Sequence, residues 1–470
     1  MNIASRRADK HRTEGPGAVV PTREDSLLAQ STSLLGGAWG KRAAAAVGKT
    51  HFFTVARVLI LLTTLAAVIA LATKQHCLLH GAGAPEVYLN GCYSDWTSLY
   101  GARGLAENPW APFTTADFEY PVLMSVVAAL TAVIISGPLA GDSTIYFGVN
   151  FLFGFILWMA TVLLTAKTAR LRPWDAAMVA VAPGMILAGS INWDIWAVAL
   201  LAAAMYAASR GRPIATGVFI GLGAAMKLYP LFLLGALLIL AVRDKSYLRF
   251  VQITAAALGS WFAVNLPLML ANWDAFLKFY TFSSERGASW SSVWHVWNLV
   301  AERTGYDPLS ADTVGLLAAG GFALSCGVIF IYGIRATHRP RLAQLMFLIV
   351  AAFILFNKVY SPQFVIWLIP LVALASPRWL DFVIWQAIEV AHFWAIWMLL
   401  ARYSTQDWPA GHKMDETVYV YAVLAHMVAV LWLVYRVIRD IQQPHLDPVL
   451  RVHLSDPGYR FSRKDEVPSG

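Results

Sequence analysis

The sequence predicts an all-α polytopic membrane protein, and three observations carry that reading. The 470 residues are 58% hydrophobic and only 14% charged, with a mean hydropathy of +0.56. That balance is far from a soluble domain, where about a quarter of residues are charged. Apolar runs of membrane-spanning length recur along most of the chain, more than a water-soluble core requires. The basic residues behind the net charge of +8 sit largely in tails and short loops. They include Arg6-Arg7, Lys41-Arg42, Arg243-Asp244-Lys245 and Arg463-Lys464. This is the positive-inside pattern of a membrane protein and not a nucleic-acid surface.

Residues 1–50 are polar, without apolar periodicity, and predict a disordered cytoplasmic tail. The polar flank is too long for a cleaved signal peptide. Gly48-Lys49-Thr50 is similar to the end of a phosphate-binding loop, but Ala43 occupies the first glycine position and no strand precedes it. Apolar runs follow at roughly 53–72, 119–137, 145–166, 174–190, 194–209, 213–242, 249–270, 312–335, 342–357, 362–376, 380–401 and 416–437. They predict about 11–12 transmembrane helices within a domain spanning 51–440. A polar cytoplasmic tail is expected over 441–470.

The run 213–242 is broken by Lys227-Leu228-Tyr229-Pro230, so it forms either one tilted helix or two shorter ones meeting at the proline. Counting back from a cytoplasmic C-terminus, two helices put the basic loops at 167–172, 210–212, 243–249 and 338–341 inside. The run 119–137 then starts at Pro121 and lies along or partly re-enters the outer leaflet. A single helix at 213–242 with a full crossing at 119–137 puts two basic loops outside, so the first arrangement is preferred. Both termini are then cytoplasmic, and the first loop is extracytoplasmic and carries juxtamembrane helices. Cys77 and Cys92 share that loop, where they are either bonded or two free thiols. The third cysteine, Cys326, lies in an apolar run.

Polar groups that punctuate these runs are the candidate site. Asp95, in Tyr93-Ser94-Asp95-Trp96, has the chemistry to deprotonate an acceptor hydroxyl at a membrane surface, or it is a solvated turn residue. Asp117 and Glu119 point the same way in an extended segment and either share a site or cap the helix after Pro121. Asn192-Trp193-Asp194 places Asp194 opposite Asp95 or at a helix N-cap. Lys227-Leu228-Tyr229-Pro230 and Lys358-Val359-Tyr360-Ser361-Pro362 each set a lysine and a tyrosine before a proline at an outward boundary. A phosphate anion or lipid headgroups would be natural partners for those lysines. The longest outer loop holds Arg286, suited to a phosphate, among Trp290, Trp294, His295 and Trp297, which suit sugar rings or anchor the membrane interface. Glu389 and His392 share a helix face at i, i+3, but without a second such pair metal chemistry is not expected.

Asp95, Glu119-Tyr120-Pro121, Asn192-Trp193-Asp194, Lys227-Leu228-Tyr229-Pro230 and Lys358-Val359-Tyr360-Ser361-Pro362-Gln363 together resemble actinobacterial members of glycosyltransferase family 87. These are enzymes of the GT-C superfamily similar to polyprenol-phosphate-mannose-dependent mannosyltransferases. The resemblance covers about residues 50–440. It implies a GT-C-type helical bundle, a polyprenyl-phosphate sugar donor, a glycolipid or cell-envelope glycan acceptor and inversion at the anomeric carbon. It also implies an active site outside the cytoplasm, in the plasma membrane among its lipids. Mannose is the first choice of sugar and arabinose the second. Asp95 takes the catalytic-base position. Lys227, Tyr229, Lys358, Tyr360, Arg286, Glu119, Asp194 and Gln363 become candidates for donor phosphate or substrate. No cofactor is assigned, and a divalent cation is left open. Many relatives have a second proline after the Tyr-Pro step, where this chain has Val122. A lipid-linked sugar flippase and a non-catalytic assembly partner are the rival classes. A flippase should place carboxylates deep in symmetric halves, whereas this chain concentrates them in outer loops.

Overall fold

The computed structural model describes residues 25–31, 54–137, 140–404 and 414–454, and every regular element among them is helical, with no strand. Most of the expected N-terminal tail, Gly48-Lys49-Thr50 and Arg463-Lys464 lie outside the described residues.

Helix α1 (Val55–Ala72) starts at a Thr54 N-cap and leads into the first loop. There Cys77 and Cys92 are bonded, with their Cα atoms 6.1 Å apart. The loop holds a short helix, α2 (Asp95–Ala102), capped by Ser94, whose side chain accepts from Trp96 N. Helix α3 (Val122–Ile134) follows, then α4 (Ser143–Thr168). The run 174–190 does not form one helix. It breaks into Ala177–Ala180 and Pro183–Ala188, because Pro183 cannot continue the preceding turn. Next come α5 (Asp194–Ser209), α6 (Pro213–Met226) and α7 (Phe232–Asp244). They are followed by α8 (Tyr247–Ala271), and by α9 (Trp273–Glu285) and α10 (Val293–Thr304) in the long loop. The chain closes with α11 (Ala311–Arg335), α12 (Leu342–Phe356), α13 (Val365–Ala375), α14 (Trp379–Ser404) and α15 (Glu416–Gln442). Of these, α1, α4, α8, α11, α14 and α15 are long and apolar enough to cross a membrane. Leu61, Leu65 and Val68 of α1 and Leu316, Leu324 and Val328 of α11 are exposed, as lipid-facing side chains require.

The run 213–242 is two helices. Lys227 is extended, at φ −159° and ψ 142°, and ends α6; Tyr229–Leu231 is a 3-10 turn that leads into α7. Gly211 and Pro213, where α6 starts, and Lys245, where α7 ends, line one cavity of about 410 Å³. The chain therefore goes out along α6 and returns along α7. Helix α8 then lies parallel to α6: a Cβ on Gly217 would overlap Ile253 O, and one on Gly221 would overlap Ala257 O.

The segments that flank α3 are tied to α2. Tyr120, just before α3, donates to Asp95, and Gly141 N, seven residues after it and just before α4, donates to Tyr100 OH at 3.1 Å. Helix α2 has eight residues, about 12 Å of rise, against a hydrocarbon core of about 30 Å. The chain thus enters and leaves α3 from the face of the bundle that carries Asp95.

The opposite face is fastened by ion pairs: Arg341–Asp447 at 2.9 Å, Arg378–Asp440 at 2.6 Å, Arg172–Asp175 at 2.7 Å and Arg339–Asp244 at 2.7 Å. Asp447 is fully buried, and Arg172 also donates to Pro448 O. The boundary expected at 440 therefore falls inside α15, and the segment just beyond it is packed down, not trailing.

Candidate active site

Asp95 opens α2, held from behind by Ser94. The Ser94 hydroxyl donates to Ser190 O at 2.8 Å, and Asp95 N donates to Ile191 O at 2.7 Å. These bonds pin the start of α2 to the turn that contains Asn192-Trp193-Asp194. On the other side of the carboxylate, Tyr120 OH donates to Asp95 Oδ2 at 2.5 Å, and Asn192 Nδ2 reaches Tyr120 OH at 3.5 Å. Tyr120 and Trp193 meet edge to face at 5.6 Å. Asp95 is half-buried. Burial raises its carboxyl above the usual carboxylate range, and the nearby Asp194 charge adds to this; hydrogen bonds from Tyr120 and Tyr93 and the Lys227 charge pull the other way.

Asp194 does not cap α5; Trp193 occupies the N-cap. Its fully buried carboxylate lies 3.0 Å from Lys227 Nζ and accepts from Trp367 Nε1 at 3.0 Å. Lys227 stands over the Tyr120 ring, 5.2 Å from its centroid. The structure thus brings Asp95, Tyr120, Asp194 and Lys227 into one cluster from four separate segments. Within it Asp194 and Lys227 neutralise each other, and Asp95 is left as the partly open acid.

Glu119 is adjacent but engaged. Arg103 grips it at 2.7 and 2.9 Å through Nε and Nη2. Asp117 points into solvent across the buried Phe118, and Pro121 holds the N-cap of α3. Neither acid caps that helix; Glu119 takes the bonds from Arg103, while Asp117 acts on the same guanidinium only through its charge.

Lys358 and Arg286 form a second station. Lys358 Nζ donates to Ser284 O at 2.8 Å, and Arg286 donates to Ser289 Oγ at 3.4 Å while lying over Phe282. Burial, then the neighbouring Arg286 charge, lowers the Lys358 pKa, while Asp312 opposes the shift. Two cations side by side at an accessible surface are an anion site in electrostatic terms. Tyr229 and Tyr360 are fully buried and belong to a ladder of rings linking the two stations. Tyr229 stacks on Trp367 at 4.3 Å, Trp367 on Phe364 at 4.0 Å, and Phe364 meets Tyr360 at 6.3 Å. Gln363 is buried in the turn before α13.

Tyr120, Trp367, Arg103 and Tyr93 were not named as site residues from sequence. Tyr120 and Tyr93 sit inside segments that stood out for their polarity. Nothing local marks Arg103 or Trp367, whose partners are supplied by tertiary contact alone.

A bundle of membrane-length helices with a half-open carboxylate, a buried ion pair and a cationic pair in the loops of one face defines a membrane-embedded group-transfer protein. The family model of glycosyltransferase family 87 matches residues 109–357, just over half of the chain, and the protein belongs to that family. It is a membrane glycosyltransferase. Asp194, Lys227 and Arg286 lie inside the matched stretch, whereas Asp95 and Lys358 lie outside it. A search of curated proteins returned no match.

Proposed function

We propose that this glycosyltransferase moves a sugar from a polyprenyl-phosphate donor to a hydroxyl of a glycolipid or envelope glycan at the extracytoplasmic face of the plasma membrane, with both termini cytoplasmic. The observation that carries this is the state of Asp95. It is half-open and oriented by Tyr120, while its neighbour Asp194 is sealed and paired with Lys227. A raised carboxylate pKa suits a general base.

Asp95 takes the acceptor hydroxyl proton as that oxygen attacks the anomeric carbon. The bond from that carbon to the phosphate oxygen breaks, and its electrons leave with the polyprenyl phosphate, whose charge is held by Lys358 and Arg286. One displacement inverts the anomeric centre. Lys227 is tied to Asp194, so it orients the base cluster more than it binds phosphate. The exposed leucines and valines of α1 and α11 suit a polyprenyl chain at the bundle's edge. The resemblance to mannosyltransferases favours mannose over arabinose.

Asp95→Asn should lower turnover from a polyprenyl-phosphate sugar by about 10²–10⁴-fold while donor binding persists. Because the base works deprotonated, the wild-type rate should fall with falling pH at a limb above the ordinary aspartate value of about 3.9. Near wild-type turnover by folded Asp95→Asn protein sinks the assignment.

A further inference from the structure

We propose that α14 and α15 hold a divalent transition-metal site of the zinc class, built from Glu389, His392 and His426. All three side chains are buried, at 5%, 1% and 0% exposure. Their ligand atoms lie within 4.8 Å of one another. Glu389 Oε2 is 3.9 Å from His392 Nδ1 and 3.6 Å from His426 Nδ1. Donors about 2.0–2.2 Å from a common tetrahedral ion stand roughly 3.3–3.6 Å apart. The His392 and His426 rings stack at 3.9 Å with planes 6° apart, so one ring turns for both imidazoles to face one ion. One carboxylate oxygen and two imidazole nitrogens form a ligand set that zinc favours.

Two further features point to an ion. Neither ring nitrogen of His426 has a hydrogen-bond partner, although the residue is fully buried. An imidazole with both nitrogens unmet inside an apolar bundle is costly, and a metal bond to Nδ1 relieves it. The atoms facing away from the proposed ion are already held. His392 Nε2 is 2.8 Å from Ser291 Oγ, and Glu389 Oε1 accepts from Trp385 Nε1 at 2.9 Å. Outer contacts of this kind fix the orientation of metal ligands. The sequence contained Glu389 and His392 at i, i+3 but no second pair. The third ligand comes from the next helix, 34 positions further on, so spacing does not expose it.

The site clips α14 to α15 and reaches the loop that carries Lys358. Ser291 ties His392 to the long loop, Ser289 N donates to Lys358 O at 2.8 Å, and the Tyr360 ring lies 4.3 Å from that of His426. Three protein ligands leave the ion's fourth position open, and the site sits behind the second cationic station.

Metal binding by the full-length protein in detergent tests this without an activity assay. After loading with Zn²⁺ and desalting, wild-type protein should retain about one ion per chain and His426→Gln essentially none. Ser291→Ala, which spares the three ligands, should bind Zn²⁺ about 10–100-fold more weakly. Co²⁺ in wild-type protein should give the intense visible absorption of a tetrahedral site. Equal metal retention by wild type and His426→Gln, or only the weak octahedral Co²⁺ spectrum, overturns the site. If His426→Gln does not fold, unchanged Zn²⁺ affinity in Ser291→Ala does so.

Discussion

Lys74 shows how far one side chain can be pushed by its surroundings. Its ammonium is fully buried at the start of the first loop, 3.0 Å from Gly91 O and 3.4 Å from Leu187 O, and 5.9 Å from the centroid of the Phe393 ring. Burial lowers its pKa to about 7. In the unfolded chain lysine titrates near 10.4. Between those values the unfolded state binds more protons, so this group makes stability rise with pH from about 7 to about 10.4; below about 7 both states are protonated and the slope vanishes. Lys74→Met should remove that rise. Melting temperatures of both proteins in detergent, from pH 6 to 10, should therefore diverge in slope, and parallel curves would disprove the assignment. Lys74 drew no notice in the sequence because its environment comes from Gly91, Leu187 and Phe393, three distant segments. Asp95 was legible for the opposite reason. A carboxylate beside membrane-length apolar runs stands out by composition alone. The fate of Glu119 was not legible, since only folding brings Arg103 to it.

Among the elements, the pair α6 and α8 sets the position of Lys227, which ends α6. Gly217 and Gly221 let the two helices approach backbone to backbone. A Cβ on Gly221 would overlap Ala257 O and Ser260 Oγ, so one helix must move. Gly221→Ala should cost about 1–3 kcal/mol as overpacking and lower turnover by shifting Lys227. Gly259→Ala, on α8 with nothing within 4 Å of the new Cβ, should be neutral or gain up to about 1 kcal/mol from helix propensity. Thermal unfolding of the two variants decides this; equal melting temperatures would mean that the contact is not tight. The break between α6 and α7 could be read from Pro230 and the polar residues before it. The short reach of α3 could not be read so directly. Its 13 residues are as apolar as those of a spanning helix, and only loop charge argued against a crossing. The bonds that hold the chain on the Asp95 face before and after it, Tyr120 to Asp95 and Gly141 to Tyr100, join segments whose pairing has no sequence period.

Over the whole molecule, charge is sorted by face. Arg172, Arg339, Arg341 and Arg378 pair with acids at one end of the bundle, and Asp95, Arg103, Arg286 and Lys358 gather at the other. The arginine end holds the basic loops that the positive-inside tendency assigns to the cytoplasm. This orientation makes a prediction that also tests α3. Single cysteines in a Cys326→Ala background, at the exposed positions Thr115, Ser136, Glu302 and His338, can be probed with a membrane-impermeant maleimide on intact expressing cells. Cys77 and Cys92 are bonded and should not react. Thr115→Cys and Glu302→Cys should label from outside, and His338→Cys only after permeabilisation. Ser136→Cys, just beyond α3, should label with Thr115→Cys, because the chain before and after α3 is fastened to α2. Labelling of Ser136→Cys together with His338→Cys would make α3 a full crossing. It would also place the beginning of α4 on the arginine face and undo the out-and-back path of α6 and α7. If instead His338→Cys labels from outside and Thr115→Cys only after permeabilisation, the fold stands but the active site faces the cytoplasm, and a sugar nucleotide replaces the lipid-linked donor as the expected substrate.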